Sequence, residues 1–165
     1  MKTKHIMLVS CLCALSMVSP QTFAADKCGG PYGSIDVPTG NIAANGANKW
    51  ITPIGATSTW KAINYGDKDW DSEKCKCVDD SIPNPAGIKW VSTYMSAASM
   101  TGTPKTLTAA TDPRTNVAVK LELDDAGTPI NDGGFTQVAS QSVDIVIPNA
   151  GNTSPICNEL RGEWG

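Results

Sequence analysis

The sequence predicts an all-β sandwich, and three observations carry that expectation. From Asn116 to Asp124, Val117, Val119, Leu121 and Leu123 are apolar while Lys120, Glu122 and Asp124 are polar. A period of two gives an extended strand one oily face and one wet face. Val143, Ile145 and Ile147 repeat the pattern further along. Gly, Pro and Asn punctuate the chain at short intervals, and no segment sustains a 3.6-residue period between helix caps. Many short strands separated by such turns indicate a sandwich.

The chain opens with Lys2 and Lys4 ahead of an apolar run from Ile6 to Val18, and Thr22-Phe23-Ala24 follows. This is a secretory signal peptide over residues 1–24, with cleavage expected after Ala24. The run is too short to span a membrane, and no other stretch approaches ~18 apolar residues. One domain of about 140 residues, 25–165, is left.

Cys28 to Gly33 is rich in glycine and reads as irregular. Ser34 to Val37 is a short extended segment stopped by Pro38 and Gly40, and Asn41 to Asn48 reads as a loop. Lys49 to Ile54 and Ser58 to Asn64 are expected strands, with Trp50, Ile51, Ile54, Trp60 and Ile63 supplying apolar contacts. Tyr65 to Asp80 is charged throughout and is expected to be a long loop pinned by its cysteines. Ile88 to Met100 looks extended, Thr106 to Thr115 reads as a bridge, and Asn116 to Asp124 is the central strand. Asp124-Asp125-Ala126-Gly127 then offers a turn, where Gly127 can adopt a positive φ. Asn131 to Gly134 is a loop and Asn149 to Pro155 a turn-rich connection, on either side of the strand containing Val143 to Ile147.

Beyond the leader the formal charge is about −5. A mildly acidic chain without a basic cluster is a poor partner for nucleic acid. The only histidine, His5, lies in the leader. Ser-His-Asp and Cys-His catalysis and every histidine-containing zinc site are thereby excluded from the exported domain. Enzymes running on carboxylates alone remain chemically open, but no Asp/Glu pair is singled out, so no catalytic residue, cofactor or resident metal is expected. Four cysteines stay with the domain, namely Cys28, Cys75, Cys77 and Cys157. In an exported protein they imply two disulfides. A Cys75–Cys77 bridge would close a very small ring, so each is expected to reach a distant partner, one Cys28 and the other Cys157. Metal binding or redox chemistry at Cys75-Lys76-Cys77 is the competing use, and export argues against it.

Ser99-Met100-Thr101-Gly102-Thr103-Pro104, then Asn116 to Ile130, then the alternating run to Ile147 resemble the later strands of chaperone–usher fimbrial subunits. Ser34 to Gly40 is similar to the segment after the first cysteine of such subunits, and the penultimate Trp164 stands where they often keep an aromatic residue. The resemblance implies an immunoglobulin-like, pilin-type sandwich lacking one strand. A neighbouring subunit's extended segment would complete it by β-strand addition. It also implies a periplasmic chaperone, an outer-membrane usher and other fimbrial subunits as partners, with Leu160 and Trp164 as assembly contacts. The expected location is the periplasm and then the cell surface. Only Ala25, Asp26 and Lys27 precede Cys28, so no donor segment of its own is expected, which points to a minor or tip subunit or adhesin. The alternative is a stand-alone secreted or periplasmic binding module.

A tip adhesin needs a surface for a host glycan or receptor. Trp70, between Asp69 and Asp71, is the tryptophan expected outside the core, whereas Trp50, Trp60 and Trp90 lie in apolar surroundings. Asp67, Asp69 and Asp71 stand at alternate positions, like the first ligands of a calcium loop. Ser72 replaces the turn glycine and Val78 the closing carboxylate, so a solvated acidic loop is the expectation.

Overall fold

The computed structural model describes residues 28–71, 73–124 and 134–148. Twelve strands follow in chain order: β1 (Tyr32–Ile35), β2 (Thr39–Gly40), β3 (Ala43–Ala44), β4 (Lys49–Pro53), β5 (Thr57–Trp60), β6 (Ala62–Asp71), β7 (Lys76–Asp80), β8 (Ile88–Val91), β9 (Met95–Ser96), β10 (Lys105–Ala109), β11 (Arg114–Asp124) and β12 (Phe135–Val146). Among the described residues there is no helix. The architecture is an all-β sandwich.

A five-stranded sheet, β3-β4-β12-β11-β8, forms one layer. A four-stranded sheet, β2-β5-β10-β9, contributes to the core from the other side, and a three-stranded sheet, β1-β6-β7, adds Ala62 to it. The alternation in β11 sets the arrangement. Val119, Leu121 and Leu123 are fully buried and Val117 nearly so, while Ala118 is exposed and Lys120 and Glu122 are half-buried. Across the sandwich they share a core with Trp60, Met95 and Leu107, and Trp90 of the neighbouring β8 joins it from their own sheet. The Trp60 and Trp90 rings sit 6.3 Å apart at a tilt of 59°. Each buried indole keeps a hydrogen bond, Trp60 Nε1 to Ser58 Oγ and Trp90 Nε1 to the Gly102 carbonyl, so neither N–H is left unpaired.

Four segments depart from the expected layout. Tyr65 to Asp80 is not a loop but a hairpin, with Asp67 opposite Asp80, Asp69 opposite Val78 and Asp71 opposite Lys76. Backbone pairing and the Cys28–Cys77 disulfide hold this charged sequence extended where side-chain hydrophobicity does not. Thr106 to Thr115, read as a bridge, begins within a strand, Lys105–Ala109, that lies between β5 and β9. β12 begins at Phe135, well before the apolar alternation, because Phe135 to Ser142 pair with β11 across one bulge. Asn41 to Asn48, read as a loop, contains the two-residue β3.

One pairing is parallel. β12 lies beside β4 from Ser142↔Lys49 to Val146↔Pro53, so the chain's late strand is seated against one of its early ones.

Candidate functional site

The parallel partner of β12 stops at Lys49, where the chain turns through Asn45 to Asn48. Toward its start, from Val138 to Gln141, no described strand pairs with β12 on the side away from β11. Ser142 N donates across that side to the Asn48 carbonyl at 3.0 Å. Strand alternation then aims the N–H and C=O of Ser140 the same way. Facing them is β1. Asp36 N donates to the Lys61 carbonyl beside β6, so the backbone groups of Ile35 point away from β6 and toward β12. Two strand edges thus look into one cleft of about 270 Å3, lined by Gly33, Ser34, Ile35, Asn48 and Val138 to Gln141.

Two contacts set the width of this seam. Gly33 lies where a Cβ would meet Tyr65 Cβ at 3.0 Å and Leu123 Cδ1 at 3.1 Å, so β1 approaches the core closely because it carries no side chain there. Gln141 bridges the walls. Its Oε1 accepts from Trp50 Nε1, and its Nε2 donates to the Ile35 carbonyl at 3.4 Å. The chemistry on offer is backbone hydrogen bonding from both sides, edged by small polar side chains, which suits an extended peptide better than a small molecule.

The residues singled out in sequence occupy a different place, the β6–β7 hairpin. Asp67, Asp69 and Asp71 alternate along one face of β6, and Asp80 stands opposite Asp67. They are less solvated than expected. Asp67 is buried and accepts from Lys68 N, while Asp69 and Asp71 are half-buried. Asp69 Oδ1 is buried without a hydrogen-bond partner. Burial, a close approach to the Asp80 carboxyl, and the charges of Asp67 and Asp80 together hold the Asp69 carboxyl above its ordinary value. A carboxylate oxygen buried without a donor disfavours the charged form, so the unsatisfied oxygen and the raised affinity for a proton point the same way. Asp71 is shifted the other way by the Lys74 ammonium and its backbone N–H. Among the described residues, no group of three or more His, Cys, Asp or Glu side chains is arranged to hold a metal ion.

Trp70 belongs to β6, opposite Cys77; its side chain lies outside the described residues. Trp60 and Trp90 are core residues and Trp50 is half-buried. Cys28 and Cys77 form one disulfide, with their Cα atoms 5.4 Å apart. Cys75 is disulfide-bonded as well, and its partner is neither Cys28 nor Cys77. Residues 1–24, Ala25 to Lys27, the turn after Asp124, Cys157, Leu160 and Trp164 lie outside the described residues. The lining of the seam cleft includes none of Asp67, Asp69, Asp71 or Asp80.

Gly33, Asn48, Ser140 and Gln141 carry the seam, and none stands out in the sequence. One signal was present: Gln141 falls in register with inward Val143 and Ile145, a polar residue at a core position. No protein-family model matches this chain, and neither a curated protein nor a solved structure matches it.

Proposed function

We propose that this chain is a structural or adhesive subunit of a bacterial surface fimbria, an immunoglobulin-like sandwich completed when a partner lays an extended segment into the seam between β1 and β12. The observation that supports the reading is the pair of strand edges, Gly33–Ile35 and Val138–Gln141, facing one cleft. An open edge invites pairing with any available strand. Each Å2 of apolar surface left uncovered forfeits roughly 25 cal/mol. The partners implied are a periplasmic chaperone, an outer-membrane usher and neighbouring subunits, the first filling the seam until a subunit replaces it.

The test is thermal melting of the exported chain alone, with a donor-strand peptide, and co-expressed with a candidate chaperone. Alone it should aggregate or melt at a low temperature, and either addition should raise the melting temperature substantially. The Ser140 amide should become protected from exchange at the same time. A monodisperse monomer whose cooperative melt ignores both additions would defeat the proposal. A second reading, a self-contained secreted binding module, would then stand. It draws on the parallel pairing with β4, which already covers β12 from Ser142 to Val146.

A further inference from the structure

The seam between β1 and β12 is narrower than the strand it would receive. A strand bonded on both sides holds its neighbours roughly 9.5 Å apart, twice the spacing of paired strands. Cα atoms of β1 and β12 instead come within 8 Å of each other. No shared ladder draws them together, since β1 pairs with β6, and β12 with β11 and β4. From Val138 to Ser142, one hydrogen bond joins β12 to β1 among the described residues. It runs from Gln141 Nε2 to the Ile35 carbonyl.

Strand parity puts Gln141 on the inward side of β12 with Val143, and Trp50 stands opposite Val143 in β4. The Trp50 indole therefore reaches the Gln141 amide, and its Nε1 donates to Oε1. An indole N–H can only donate, so this contact fixes the orientation of the amide and turns Nε2 toward β1. The bond that Nε2 makes is the looser of the two, since 3.4 Å is long for N–H···O. The Ile35 carbonyl faces the seam, because the next N–H, that of Asp36, is spent on Lys61 beside β6. It is the acceptor to which an added strand would donate. A glutamine amide carries the same donor and acceptor as a peptide group, so Gln141 occupies the place of one unit of that strand.

We infer, on the strand-addition reading of the seam given above, that Gln141 is a latch: its amide holds β1 against β12 until an incoming strand takes over the Ile35 carbonyl. Opening breaks the loose bond to Ile35, keeps the close one to Trp50, and lets the walls part far enough for a strand. The strand's N–H then satisfies Ile35, so no buried acceptor is left unpaired when the exchange is complete. Uptake requires the open state, and the apparent affinity is lowered by the fraction of chains in which the seam is open. In return, the Ser140 edge of β12 is kept from pairing with the wrong strand while no partner is at hand. Gln141 is thus a positioning residue for strand addition.

The experiment mixes the oxidised chain with a synthetic alternating threonine–valine peptide of about six residues, the usual length of a strand. Gln141→Glu still accepts from Trp50 Nε1 but cannot donate to Ile35, and Gln141→Met is neutral, of similar length, and cannot donate either. Both variants should take up the peptide about fivefold faster than the parent and bind it more tightly. In the parent, the side-chain amide resonances of Gln141 should move as the Ser140 amide becomes protected from exchange. That measurement needs no variant, so it decides even where a substitution unfolds the domain. Equal uptake by all three proteins with Ser140 protected overturns the latch and leaves the seam reading standing. A Gln141 amide that stays unmoved while Ser140 becomes protected does the same. Uptake by none of the three overturns the seam reading, and the latch with it. Uptake by the variants alone would show the latch fully closed in the parent.

Discussion

Gln141 occupies an inward position in line with Val143 and Ile145, where an aliphatic side chain is the ordinary choice, and it satisfies Trp50 and Ile35 instead. Gln141→Leu removes the acceptor of a partly buried indole N–H and should destabilise the domain by ~1–3 kcal/mol, read by urea unfolding. A variant as stable as the parent would show that the bridge does not hold the seam. Gly33→Val meets a tighter limit, because any Cβ there lies 3.0 Å from Tyr65 Cβ. Overpacking of this kind costs ~1–3 kcal/mol, and the loss should appear in the same measurement. Asp69 gives a pH signature. Its folded-state affinity for a proton is raised, mainly by burial, so the native state binds more protons than the unfolded chain between the ordinary carboxylate range and the folded value. That contribution is favourable in acid and declines as pH rises through this window. Asp69→Asn should therefore raise the melting temperature at pH 7 and change it little at pH 3; equal shifts at both would contradict the assignment. Asp71 acts with the opposite sign, its Lys74 contact being present at neutral pH and lost as pH falls.

Among the elements, β6–β7 depends most on a covalent tie. Cys28–Cys77 closes a loop of 49 residues, which on the chain-entropy account stabilises the fold by about 4 kcal/mol. Cys28→Ser with Cys77→Ser should expose the hairpin's amides to exchange before those of β11. Simultaneous loss of both would mean that the tie is global and not local. The hairpin also shows where sequence stops being legible. β11 was readable because one of its faces is buried along most of its length, so burial wrote a period of two into the residues. Asp67 to Asp80 carry no such period, since their pairing comes from backbone bonds and a distant cysteine. Phe135 to Ser142 were equally opaque, being mostly polar and only half covered. The seam was hidden for a related reason. Its working groups are main-chain N–H and C=O, which every residue owns, and their availability depends on which strands happen to pair.

For the molecule as a whole, the core is the dependable part. Leu121 is fully buried between layers, and Leu121→Ala should cost ~2–5 kcal/mol in equilibrium unfolding. The all-β character followed from turn spacing and alternation, whereas the order of strands within the sheets did not, because pairing partners are far apart in sequence. The β4–β12 contact is the extreme case, joining Lys49 to Ser142. Such non-local pairings place folding in the millisecond-to-second range or slower. There is a further consequence in time. Every chain is made from its amino end, so β4 exists, and can begin to pair with β3, long before β12 has been synthesised. Until Ser142 to Val146 arrive, Ile51 and its neighbours have one flank with nothing native to bond. The five-stranded sheet cannot be completed as the chain emerges; it must wait for β12, whereas every strand of the other two sheets precedes β11.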